Sequence, residues 1–209
     1  MSTIRYTLLS DGSSDRMLMP IIDWLFRQHC PGSAISSEWA DLRRLPYPPK
    51  TLAEKVVTTL SLYDCDILFV HRDAEKESYD SRVQQISDAM RGLTTPPVVR
   101  VVPVRMQEAW LLFDEAAIRK AAGNPNGSTE ITLPAPQRVE NHPDPKELLF
   151  SLLRESSGLK PARLKKFNVN QSAFRVSQYI DDFSPLRILK AFKAFEEEIK
   201  QALAAWETR

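Results

Sequence analysis

The chain has 209 residues, 43% of them hydrophobic, with 28 Lys and Arg against 27 Asp and Glu for a net charge of +1. That length suits one domain, or one domain with an appendage, and buries roughly 70% of the unfolded surface, so neither a disulfide nor a structural metal is needed to fold. The near-neutral balance argues against a surface coated in positive charge for nucleic acid, while leaving room for a local basic patch.

In chain order, Ile4 to Leu9 reads as a short buried strand that stops at "SDGSSD". Met17, Leu18, Ile21, Ile22, Leu25 and Phe26 then recur at helical spacing. Ser13 or Ser14 is placed to cap this helix, with Asp15 as an acid of its first turn. Pro20 implies a kink, or a helix that starts nearer Met19. Cys30, at the end of this stretch, is far from Cys65, and the two lack the spacing of a zinc or redox motif. Both are read as reduced thiols of a cytoplasmic protein. Ile35 to Leu42 is a weak strand. "TLAE", Thr51 to Glu54, is a capping box, and its helix carries Leu52, Val56, Val57 and Leu60 on one side. "DILFV", Asp66 to Val70, is the clearest buried strand and runs into "HRDAEKE". Tyr79, Val83, Ile86 and Met90 mark the next helix. Pro97 to Val104 is a further β-branched strand. "QEAWLLFDEAAIRKAAG" follows as one helix or two short ones, stopped at Gly123. No run reaches the ~18 apolar residues of a membrane span, and Arg5 and the acids from Asp11 interrupt any leader-like stretch.

Strands alternating with helices at this spacing predict an α/β fold, a parallel sheet of about four strands flanked by helices. After Gly123 the chain turns rich in proline and asparagine. This divides it into an α/β core, 1–123, and a connector with a helical extension packed on the core, 124–209. In that extension Asp144-Pro145-Lys146-Glu147 supplies an N-cap, a proline at the first helical position and an acid at the third. A last long helix is expected after Ser184-Pro185, burying Leu186, Leu189, Phe192, Phe195, Ile199, Leu203 and Trp206.

Ligands of open parallel sheets gather outside the carboxyl ends of the strands, where Asp11, Asp73 and Glu75 fall. Like carboxylates about 5 Å apart repel by roughly 3 kcal/mol at an effective dielectric near 20. A hard divalent cation resolves that conflict. Oxygen-only ligands suit Mg²⁺ or Mn²⁺, ions that polarise phosphates and activate water. The three acids are therefore expected to converge on one ion, with Glu108 as a fourth ligand or orienting acid and His71 as an orienting group. Arg72, Lys76 and Arg105 lie beside the acids and are placed to hold phosphates. Lys165 and Lys166, in the basic run "LKPARLKKF", are placed to track a nucleic-acid backbone. Each feature also has an ordinary reading, as a turn, a helix-start acid or a solvated surface.

The order "LLSDGSSD", "ILFVHRDAE", "VPVRMQEAWLL" resembles the TOPRIM-like domains of an uncharacterised bacterial family, related to the nuclease domains of overcoming-lysogenization-defect proteins. The resemblance covers about Tyr6 to Asp114, and the helical tail more loosely. It implies a Rossmann-like TOPRIM fold, Mg²⁺ or Mn²⁺ bound by an acid-glycine pair and a D-x-D pair, and cleavage of DNA or RNA. It also implies an ATPase partner and a role in phage defence. Asp11-Gly12 matches the first pair with Asp where Glu is usual. Asp73-Ala74-Glu75 matches the second but ends in Glu. These departures either compensate in reach or mark a recognition or scaffold module without catalysis. A phospho-receiver also sets acids after its first strand and an acceptor Asp after its third, but no lysine at the end of a later strand closes such a site here.

Overall fold

The computed structural model describes residues 3–208. Four parallel strands, β1 (Thr3–Leu9), β2 (Ala34–Ala40), β3 (Ile67–His71) and β4 (Val98–Val101), lie in the order β2-β1-β3-β4. The β-branched and aromatic runs form the two central strands because both their faces are covered. Every residue of β3 is buried. Its alternate side chains enter opposite layers: Ile67 and Phe69 join one hydrophobic cluster, Leu68 and Val70 the other. Helices α2 (Leu52–Leu62) and α3 (Tyr79–Met90) cover the smaller cluster through Val56 and Ile86.

The larger cluster holds α1 (Met19–His29), α4 (Glu115–Ala121), α5 (Pro145–Ser156), α7 (Val169–Tyr179) and α8 (Lys190–Glu207). A short α6 (Pro161–Leu164) buries no residue. Phe195 of α8 stacks on Trp110 at 5.7 Å and meets the edge of Phe69 at 6.2 Å. Ile199 and Phe192 are fully buried beside it. Apolar residues from Ile4 to Leu203 thus form one continuous cluster, shared by the sheet and the helices after residue 123.

Several local signals act as expected. Thr51 Oγ1 accepts the Glu54 N–H at 3.2 Å while Glu54 accepts the Thr51 N–H at 3.0 Å, completing the capping box of α2. Asp144 Oδ1 accepts the Glu147 N–H at the start of α5. Pro20 sits in the first turn of α1, where its missing N–H costs nothing, because α1 begins at Met19 after a separate 3-10 turn, Ser13–Leu18. Two expectations are corrected. Neither Ser13 nor Ser14 caps: Gly12 takes the cap position of that turn, and Asp15 reaches back to its N–H. The long helix starts at Lys190, because Ser184–Ile188 close a 3-10 turn of their own. The segment from Gln107 is the pair of short helices allowed for, a 3-10 turn, Gln107–Leu111, followed by α4.

Candidate metal and phosphate site

Strand order reverses between β1 and β3: the chain leaves β1 for β2 on one side and returns to β3 on the other. Such a switch point opens a crevice at the carboxyl edge. Leu9 pairs with Val70, so Asp11 leaves the sheet level with Arg72 and one step before Asp73. A cavity of about 310 Å³ lies there, lined by Asp11, Gly12, Asp15, His71, Arg72, Asp73, Glu75 and Arg82.

The acids in it differ in environment. Asp11 is more than half exposed, and its Oδ1 lies 2.5 Å from Lys55 Nζ of α2. Burial pushes its carboxyl up, but Lys55, Arg72 and His71 outweigh that and hold it below the ordinary value. Asp73 is the reverse case. Burial raises it and the charge of Asp15 adds to the rise, against the opposing pull of His71. Asp15 is buried and fully engaged: Oδ2 accepts the Gly12 N–H at 2.8 Å, and Oδ1 accepts the Gln107 side-chain amide at 2.8 Å and the Ser14 hydroxyl at 3.1 Å. The backbone N–H of Gln107 donates to Asp73 Oδ1 at 2.9 Å. One residue therefore ties the loop after β1 to the loop after β3.

His71 is buried, and its Nδ1 donates to the Val101 carbonyl at 2.9 Å, because a carbonyl can only accept. In the neutral ring the lone pair of Nε2 then lies 3.6 Å from Asp73 Oδ1.

Glu75 adopts φ 54°, a left-handed conformation unusual for a residue other than glycine, and Arg105 does the same at φ 65°. The two brace each other. Glu75 N–H donates to Arg105 O at 2.9 Å, and Arg105 Nη1 donates back to Glu75 O at 3.4 Å. Local strain of this kind, of order 1–3 kcal/mol per residue, clusters at functional sites. The Glu75 side chain is 60% exposed, with Arg82 of α3 3.6 Å away. Arg82 itself is mostly buried, and its Nε has no acceptor.

Glu108 is 3% exposed, and burial, with the charges of Asp73 and Asp15, pushes it up to about 7. Lys146 of α5, 3.9 Å away, pulls the other way.

The expected site residues thus divide. Asp11, Arg72, Asp73 and Glu75 line one cavity, and Glu108 is close enough to feel two of its acids. Lys76 and Arg105 line a neighbouring cleft with Met106 and Asp144. Lys165 and Lys166 sit exposed just after α6, outside both. Among the described residues, no three His, Cys, Asp or Glu side chains already stand close enough to hold a metal ion. The all-oxygen donor set suits a hard divalent cation. The exposed carboxylates of Asp11 and Glu75 would have to leave Lys55 and Arg82 to join Asp73 around one.

Asp15, Lys55, Arg82 and Gln107 were not singled out from the sequence. Only Asp15 left a signal there, as an acid three residues after Gly12 with the spacing of a capping box. Lys55 and Arg82 reach the site through the packing of helices from the opposite layer. Among the described residues no helix is long and apolar enough to cross a membrane. No protein-family model, no curated protein and no solved structure matches the chain, so its reading rests on the geometry of this edge.

Proposed function

We propose that the protein is a Mg²⁺- or Mn²⁺-dependent nuclease of TOPRIM type, hydrolysing phosphodiester bonds of DNA or RNA. The observation that carries this reading is the gathering of Asp11, Asp15, Asp73 and Glu75 with Arg72 and Arg82 around one cavity at the strand-order switch. The acids supply oxygen ligands. Arg82, with a buried N–H lacking an acceptor, is suited to a phosphate oxygen. Bound there, a divalent ion would polarise the phosphate and lower the pKa of water. Glu108, buried and held near neutrality, is suited to pass a proton to the leaving oxygen. The resemblance adds an ATPase partner in phage defence, and the reduced-thiol reading of Cys30 and Cys65 adds a cytoplasmic setting. A second reading has its own support: Lys55 and Arg82 already pair with Asp11 and Glu75, as in a recognition or scaffold module that binds no metal.

The deciding experiment incubates the purified protein with linear and plasmid DNA and with RNA, with Mn²⁺, Mg²⁺ or EDTA, alongside Asp73→Asn. Metal-dependent cleavage lost in Asp73→Asn supports the nuclease. Absence of Mn²⁺ binding by calorimetry favours the module.

A further inference from the structure

Glu108 also lines a second cavity, of about 420 Å³, whose walls come from the Ser13–Leu18 turn, α5 and α7. Arg16, Lys146, Phe150, Asn170, Gln171 and Phe174 face it. Cations and aromatic rings alternate around the rim. Arg16 lies over Phe174 at 5.7 Å, and Lys146 over Phe150 at 5.8 Å. Only one of the two cations faces a carboxylate. Among the described residues no carboxylate pairs with Arg16, while Lys146 makes an ion pair with Glu108 at 3.9 Å. Asn168 caps α7 by accepting the Gln171 N–H, which sets the side-chain amides of Asn170 and Gln171 at the cavity wall. Glu108 accepts no hydrogen bond there from another described residue, although it is 3% exposed.

We propose that this cavity seats one unpaired nucleotide of a single-stranded nucleic acid, next to the phosphodiester held at the acid cavity. The proposal rests on the nuclease reading and adds its substrate class. Pockets of roughly 300–1,000 Å³ enclose ligands of nucleotide size. Partly buried aromatic faces beside cations such as the unpaired Arg16 are the means by which proteins hold single strands, by stacking and by phosphate contact. Amide side chains read the hydrogen-bonding edges of bases, which pairing conceals in a duplex and a single strand leaves open.

The test is equilibrium binding of a fluorescein-labelled ten-nucleotide single strand, followed by anisotropy in Ca²⁺ buffer, with Mn²⁺ binding measured separately by calorimetry. Arg16→Ala combined with Gln171→Ala should weaken strand binding tenfold or more, with the melting temperature and Mn²⁺ affinity unchanged. Arg16→Ala alone should lower the slope of log affinity against log salt by about 0.7, as expected for one lost phosphate contact. An intact fold with undiminished strand affinity in the double variant overturns the seat and leaves the acid cavity's reading standing. Equal competition by a free nucleoside monophosphate would also overturn it, because the ligand would then be a nucleotide and not a strand. Strand binding that follows the prediction in a protein that takes up no Mn²⁺ keeps the seat and overturns the nuclease.

Discussion

At the scale of single residues, the acids of the switch point hold different charges for identifiable reasons, and each makes a prediction. Asp11 is paired with Lys55 at a largely exposed position, where such pairs contribute about 0–1 kcal/mol. Asp11→Asn should therefore lower stability by no more than about 1 kcal/mol in urea melts, while abolishing any stabilisation by Mn²⁺. An unchanged Mn²⁺ response would reduce Asp11 to a turn residue. Glu108 gives a pH signature. Its folded pKa, about 7, lies above the ordinary glutamate value of 4.5. Between those values the folded state binds the extra proton, so stability falls as pH rises across that window and levels off above it. Glu108→Gln should flatten this fall and gain up to about 3 kcal/mol over the parent near pH 8, read by denaturant melts at about pH 5 and 8. A parent and variant with parallel pH profiles would contradict the buried-acid account. The sequence made Asp11, Asp73, Glu75 and Glu108 legible because they stand at strand ends or beside one. It did not make Asp15 legible as a site acid, because the same side chain also does the ordinary work of closing a turn on Gly12. Gln107 was equally hidden: its backbone serves Asp73 and its side chain serves Asp15, and neither bond has a sequence pattern.

At the scale of elements, the strands were legible because β-branched runs alternate with capped helices, and their ends shifted where pairing partners ran out. β4 stops at Val101, but the backbone beyond β3 still bonds to the chain beyond β4, through Ala74 N–H to Pro103 O and Glu75 N–H to Arg105 O. This extension carries the two left-handed residues, and it fixes how the acids leave the sheet. Arg105→Gly should raise stability by about 1 kcal/mol by removing a side chain from a positive φ, provided the bond to Glu75 O contributes little. A loss in urea melts would show that the side chain's contacts outweigh the strain. On the outer edge of β4 a different device operates. Glu198 of α8 accepts the Arg100 backbone N–H at 2.7 Å and the Arg100 guanidinium at 2.8 Å. The helix thereby closes an edge that would otherwise offer unpaired groups. Glu198→Ala leaves the half-buried Arg100 without its acceptor and should cost about 1–3 kcal/mol, measured by thermal and urea unfolding.

At the scale of the whole molecule, composition changes at Gly123 but the hydrophobic cluster does not. Trp110 lies against Phe192 and Phe195, and Trp24 against Phe183, so the first 123 residues rely on aromatic rings from the last third. Residues 1–123 expressed alone should therefore lack a cooperative urea transition and show poor dispersion by NMR; a sharp transition would make them an independent domain. Phe195→Ala in the full chain should cost about 3–5 kcal/mol, as for other buried aromatic rings. The sequence showed that α8 would pack back, through its apolar spacing. It could not show that the packing reaches Trp110, two residues from Glu108. Order of synthesis gives that contact a further meaning. Asp11 and Glu108 are made before Phe195, whose ring stacks on Trp110. A ribosome must release the chain through Phe195 before this edge of the sheet can be held in its final form. Copies broken before Phe195 would then carry the acids of this edge without the frame that aims them.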